Sequence, residues 1–188
     1  MLNDALKRLA TDLDNNGIDY AVIGAVALNQ HGYHRFTEDI DLLLTSEGLE
    51  KFKASLVGLG YLPAFPEARK KFRTTADNIP IEIITTGEFP GDGLPKPVLF
   101  PEPSESSVEI DGIRTLTLEK LVELKLTSGM TAADRLKDLA DVQELIKLKG
   151  LDADFAKQLN EYVRPKYLEL YESVASARDR DDDRGDRS

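Results

Sequence analysis

The chain has 188 residues, 41% of them apolar and 31% charged, with a formal net charge of −10 and no cysteine. That size and balance fit one well-buried globular domain with a helical extension, not a disordered chain. They exclude disulfides, thiolate metal sites, a cysteine nucleophile and a membrane span of about 18 apolar residues, and they argue against broad, sequence-independent DNA binding, which needs clustered Lys and Arg.

Leu6, Leu9, Ala10 and Leu13 recur at helical spacing over residues 3–16, and Asn15-Asn16-Gly17 closes that helix. The N-terminus lacks a signal-peptide pattern, so a cytoplasmic location is expected. Tyr20 to Ile23 reads as a first strand, and Gly24 to His31 as a second helix stopped by Gly32. A second strand is expected within Phe36–Thr45, followed by a helix capped by Ser46 and reaching about Val57. A strand near Lys70–Thr74 lies within the basic run Arg69-Lys70-Lys71-Phe72-Arg73, which reads either as a solvated face or as a phosphate-steering patch.

Ile79-Pro-Ile-Glu82-Ile-Ile84 is a clearer strand, its proline suited to a strand start or an edge. Gly87 to Pro103 is rich in Gly and Pro and reads as a long loop. Val108–Ile110 and Ile113–Thr115 flank Asp111-Gly112, a two-residue hairpin turn. Thr117 opens a helical half, with helices expected after it, at about Ala132–Lys147, at Ala153–Tyr162 and at Pro165–Ala177. Alternating Asp and Arg from Arg178 to Ser188 predict disorder. The expected organisation is therefore an α/β (α+β) core over 1–116 built on a mixed sheet, a helical part packed on it over 117–177, and a charged tail over 178–188.

Chemistry concentrates in one place. Asp39 and Asp41 sit two apart in the apolar run Asp39-Ile-Asp41-Leu-Leu-Leu, so their side chains share one face of a strand. Unpaired charge in an apolar setting is costly, and such a pair is expected to hold a cation or line a polar cleft. If the strand of Glu82 is a neighbour, a third carboxylate joins that face. Hard oxygen ligands of this kind suit Mg²⁺ or Mn²⁺, which keep positions open for waters and phosphates. Gly24, between a strand and a helix, lets backbone approach a ligand closely. His31 and His34 are too few and too far from other ligands to suggest zinc.

Gly24-Ala25 followed by Asp39-Ile40-Asp41 resembles the DNA polymerase β nucleotidyltransferase superfamily, whose motif is Gly-Gly or Gly-Ser, a spacer and Asp-hydrophobic-Asp. The chain is most similar to the minimal, AbiEii-like bacterial members, through Arg35, Thr37, Asp39 and Asp41, and through Lys125-Leu-Thr-Ser-Gly129 and Arg135-Leu-Lys137-Asp138-Leu-Ala-Asp141-Val142; the likeness spans about residues 18–148. It implies Mg²⁺-dependent transfer of a nucleoside monophosphate from an NTP to an acceptor hydroxyl, the acceptor being RNA, a protein or a small molecule. It assigns Asp39, Asp41 and Glu82 to the metal and to catalysis, Gly24 and Ala25 to the triphosphate path, and Lys125 to a phosphate, with Arg35 and Thr37 beside the nucleotide. Arg135 and Asp138 either extend the site or brace the helical half. Ala25 departs from the motif, because it offers only a backbone N–H where serine would add a hydroxyl. That departure keeps open a nucleotide- or partner-binding module of a toxin–antitoxin or phage-defence pair, with a cognate protein partner, and a phosphohydrolase is a further alternative.

Overall fold

The structure, a computed structural model, describes the backbone of residues 1–185 and the side chains of residues 1–177. Apolar spacing in the first helix dictates how it packs: α1 (Leu2–Asn15) buries Ala5, Leu6, Leu9, Ala10 and Leu13. The strands are β1 (Tyr20–Ile23), β2 (Ile40–Leu44), β3 (Tyr61–Pro63), β4 (Lys71–Thr74), β5 (Pro80–Thr85), β6 (Ser107–Ile110) and β7 (Ile113–Leu116), in one mixed sheet of order β3-β4-β5-β2-β1-β7-β6. β2 runs parallel to β5 and β1 parallel to β7; the other neighbours are antiparallel.

Period-two alternation divides the two faces. Ile40, Leu42, Leu44, Phe72, Ile81 and Ile83 join the buried cluster with Leu6, Leu9 and Leu13 of α1 and with Leu49 and Phe52 of α3 (Ser46–Ser55). The Phe52 ring lies 5.0 Å from Phe72 and 5.5 Å from Tyr61, both tilted. Asp41 and Glu82 alternate with these residues and so belong to the opposite face. Between β1 and β2 the chain forms α2 (Gly24–Gln30), and a short helix α4 (Pro103–Ser106) precedes β6.

The sheet, α1 to α4 and the start of α5 (Leu118–Thr131) make one compact unit, Met1–Glu88 with Leu99–Leu121. A second unit takes Phe89–Val98 and the chain from Val122 onward. In it, α6 (Leu136–Lys149) buries Val142, Leu145 and Ile146, and α7 is Arg164–Gly185. Gly129 of α5 faces Leu139 of α6 so closely that a Cβ there would stand 2.6 Å from Leu139 Cγ. The segment Phe89–Val98 holds itself through Lys96, which donates to the Pro90 carbonyl at 2.8 Å and sits 5.8 Å from the Phe89 ring centre.

Several local expectations change. Thr45, not Ser46, caps α3, its Oγ1 accepting from Gly48 N–H at 2.8 Å. The short strand β3 arises where the sequence signal was weak, paired with β4 through Tyr61, Leu62 and Pro63. Ala153–Gln158 is a 3-10 turn instead of an α-helix to Tyr162; Asp152 caps it, its side chain accepting from Phe155 N–H, and the extended backbone of Leu159 ends it. The last helix passes the expected end at Ala177 and runs to Gly185; no proline interrupts the Asp/Arg segment, and a nucleated helix propagates at little cost. The remainder of the expected disordered tail, 186–188, lies outside the described residues.

Candidate functional site

The turn from β1 into α2 is built around Gly24, which takes φ of +64°. β1 and β2 pair with Ile23 opposite Asp41, and this register presses the Asp41 carboxylate onto the glycine. A Cβ at position 24 would lie 2.9 Å from Asp41 Cγ and closer still to Oδ2. Only glycine satisfies both the left-handed backbone and the missing volume. Asp41 is thereby fixed at the first turn of a helix, where backbone N–H groups favour negative charge.

The next strand brings Glu82 alongside. In the parallel pairing of β2 and β5, Asp41 is directly opposite Glu82, so the two carboxyl groups leave the same face of adjacent strands, about 4.8 Å apart at the backbone. Both are half-buried. Glu82 pairs with Lys71 of β4, Nζ to Oε2 3.5 Å. The conditional expectation that Asp41 and Glu82 are neighbours thus holds in the sheet.

Asp39 stands one residue before β2, in a bend, and is exposed. Thr37 Oγ1 donates to Asp39 Oδ1. The connection from α2 is tied down by Asn29, whose Oδ1 accepts from Arg35 N–H at 2.6 Å and whose Nδ2 donates to the Arg35 carbonyl at 3.0 Å. The backbone groups of Arg35 and the hydroxyl of Thr37 thus help to fix the approach to Asp39. Ala25, second residue of α2, is half-buried.

Asp41 and Glu82 present carboxylate oxygens on one sheet face, with Asp39 one residue before β2; oxygen donors of this kind suit Mg²⁺ or Mn²⁺. Among the described residues no three His, Cys, Asp or Glu stand close enough to hold an ion unaided. Mg²⁺ asks for less, being held by one or two carboxylates while waters and substrate phosphates complete its shell. The residues fit an ion that arrives with a nucleotide.

Within the helical unit Lys125 of α5 is buried, and its Nζ donates to Asp138 Oδ1 and Asp141 Oδ2 of α6, each at 2.8 Å. Ser128 Oγ donates to the other oxygen of Asp138 at 2.8 Å. The motif residues Lys125, Asp138 and Asp141 come together as one buried charge cluster joining two helices. Arg135 closes a 3-10 turn, Ala133–Arg135, and is exposed. Sequence reading passed over Asn29, Ser128 and the pairing of Lys71. Only the hydrogen-bonding side chain near the end of α2 gave a local signal, since the other two depend on chain segments far apart.

A family model described as "Nucleotidyl transferase AbiEii toxin, Type IV TA system" matches residues 4–186. Comparison with curated proteins finds no match. Among solved structures, ANT(2")-Ia in complex with adenylyl-2"-tobramycin is similar at 16% identity, with 89% of this chain and 97% of that chain covered and a TM-score of 0.57. An antigenic nucleotidyltransferase-like protein from Paracoccidioides brasiliensis is similar at 18% identity, over 78% of this chain and 76% of that one, with a TM-score of 0.51. At these identities the likeness to both is one of fold.

Proposed function

Because this chain belongs to the AbiEii nucleotidyltransferase family, we propose that it transfers a nucleoside monophosphate from an NTP to an acceptor hydroxyl in a Mg²⁺- or Mn²⁺-dependent reaction, the acceptor oxygen bonding to the α-phosphorus as pyrophosphate leaves. The observation that carries the reading is the Asp41 carboxylate seated against Gly24 at the start of α2, with Glu82 in register on the next strand. Asp39 and Asp41 hold the cation, Thr37 orienting the first and Gly24 making room for the second. A bound divalent ion supplies charge neutralisation at the phosphoryl oxygens during an in-line displacement.

Glu82 stands on the strand beyond Asp41, away from Gly24, and takes the proton of the attacking hydroxyl there. The triphosphate runs along Gly24 and Ala25, where the missing side chain at 24 and the small one at 25 let phosphate reach backbone N–H groups. Within the helical unit Lys125 donates to Asp138 and Asp141, so a phosphate role for it rests on the family motif alone. NTP chemistry of this kind belongs in the cytoplasm, and among the described residues no helix is long and apolar enough to cross a membrane.

The acceptor is RNA, a protein or a small molecule, and a cognate antitoxin protein is the natural partner for a family described as one half of a toxin–antitoxin system. Ala25 favours a second reading, a nucleotide- or partner-binding module with weak turnover, since it lacks the hydroxyl that serine would bring to the phosphate. Incubation of the pure protein with Mg²⁺, each labelled NTP and each acceptor class separates the two. We expect label transfer that Asp39→Asn and Asp41→Asn each lower at least about a hundredfold, the scale felt when a group serving transition-state charge is lost. Equal transfer by wild type and both variants overturns the assignment, and ATP-induced stabilisation without transfer to any acceptor favours the binding module.

A further inference from the structure

One row of residues crosses four strands on the face opposite the core. Ile23 of β1 is opposite Asp41 of β2, Asp41 is opposite Glu82 of β5, and Glu82 is opposite Lys71 of β4. The row reads, from the glycine turn outward, glycine-bearing turn, carboxylate, carboxylate, ammonium. Phe72, the neighbour of Lys71, points into the core with Ile81, so alternation directs Lys71 to the face that holds the carboxylates.

The ion pair of Lys71 and Glu82 is loose: 3.5 Å separates Nζ from Oε2, and the side chains are 56% and 43% exposed. An exposed pair of this kind contributes little and is easily exchanged. Glu82 thus has two competing cations within reach of one strand spacing, the ammonium on β4 and whatever ion Asp41 holds on β2.

We infer that Lys71 is a positioning residue for this site: it holds the third carboxylate over β4 until a divalent ion draws that carboxylate toward Asp41. The inference rests on the reading above, in which Asp39 and Asp41 bind the ion. By competing for Glu82, Lys71 raises the ion concentration that the site requires. Arg73, two residues further along β4 on the same face, offers an internal control. It carries the same charge, but it pairs with Asn78 Oδ1 at 2.9 Å and stands opposite Pro80, not a carboxylate.

The test is Mn²⁺ binding to the full chain without nucleotide, read from the loss of the free Mn²⁺ electron paramagnetic resonance signal. Lys71→Gln is expected to tighten Mn²⁺ by about two- to fivefold, the range of an exposed ion pair, while Lys71→Arg stays near wild type. Arg73→Gln is expected to change it less than twofold, and Lys71→Gln placed on a Glu82→Gln background is expected to give no gain. Lys71 is exposed, so these variants leave the core intact. Equal effects of the Lys71 and Arg73 changes, or a Lys71 gain that survives Glu82→Gln, overturn the inference while Mn²⁺ binding that needs Asp41 still supports the proposed function. Mn²⁺ binding indifferent to Asp41→Asn overturns the proposed function and the inference with it, whereas no Mn²⁺ bound by wild type and Lys71→Gln alike overturns the inference alone, because in the proposed function the ion arrives with the nucleotide.

Discussion

An alanine at position 24 would bring its Cβ to within 2.9 Å of Asp41 Cγ while the backbone holds φ at +64°. Either the turn relaxes or the carboxylate moves, and a strained left-handed residue alone costs of order 1–3 kcal/mol. Gly24→Ala is therefore expected to lower stability by about that amount, measured by urea unfolding. It should also remove most of the Tm rise produced by NTP with Mg²⁺, because Asp41 no longer sits at the start of α2. Retention of the full ligand-induced shift would show that the close seating of Asp41 on Gly24 is irrelevant to binding. The same residue scale marks where sequence reading reached. Asp39, Asp41 and Gly24 were legible because a two-residue carboxylate spacing in an apolar run and a glycine at a strand–helix junction are local signals. Lys71 was legible only as part of a basic run, since its partner Glu82 lies eleven positions away and meets it through strand pairing.

Between elements, α5 and α6 are locked by two features in one place. Gly129 lets the helices approach, with Leu139 filling the space a side chain would need, and one turn away Lys125 joins Asp138 and Asp141. The side chains of the three charged residues are no more than 10% exposed. Removing the cation takes the ammonium away from two buried carboxylates, which costs about 3–5 kcal/mol. Lys125→Met is expected to destabilise by that amount in denaturant unfolding, and adding Asp138→Asn and Asp141→Asn is expected to restore most of the loss. A Lys125→Met variant as stable as wild type would mean that the cluster braces nothing. Helical spacing alone places Lys125, Asp138 and Asp141 on amphipathic helices, but which face each helix turns inward depends on its partner. For the same reason the hydroxyl that caps α3 fell one residue from the expected one: Thr45 and Ser46 are both good caps in sequence, and the end of β2 decides between them.

Across the whole chain, each compact unit buries a tyrosine whose ionisation opposes folding. Burial pushes the Tyr61 phenol well up, and its 2.6 Å bond to Asp12 together with that aspartate's charge pushes it further. Burial does the same to Tyr167, with the charge of Asp152 adding to it. A phenol with a raised folded pKa contributes stability that is fully present below its unfolded value, near 10. That contribution is lost as pH rises toward the folded value, because the unfolded chain releases its proton first. Tm is therefore expected to fall from about pH 10 upward. The Tyr61→Phe/Tyr167→Phe variant should start lower at neutral pH, through its lost hydrogen bonds, yet decline less steeply; parallel declines in the two proteins would exclude this origin.

By itself the sequence determined most of the elements and, for α1 and the strands β2 and β5, the inward face, because periods of 2 and 3.6 in apolar residues report which side of a strand or helix is buried. It also brought Asp41 and the glycine turn to notice, because both are written within about twenty consecutive residues, whereas Asp39 falls one residue outside the strand expected to carry it. Only the tertiary structure decided that β2 and β5 lie side by side in parallel, setting Glu82 against Asp41 and Lys71 against Glu82. It alone decided that Lys125 spends its charge on Asp138 and Asp141. Strand order and helix contact follow from burying the whole core at once, and no local pattern encodes that sum.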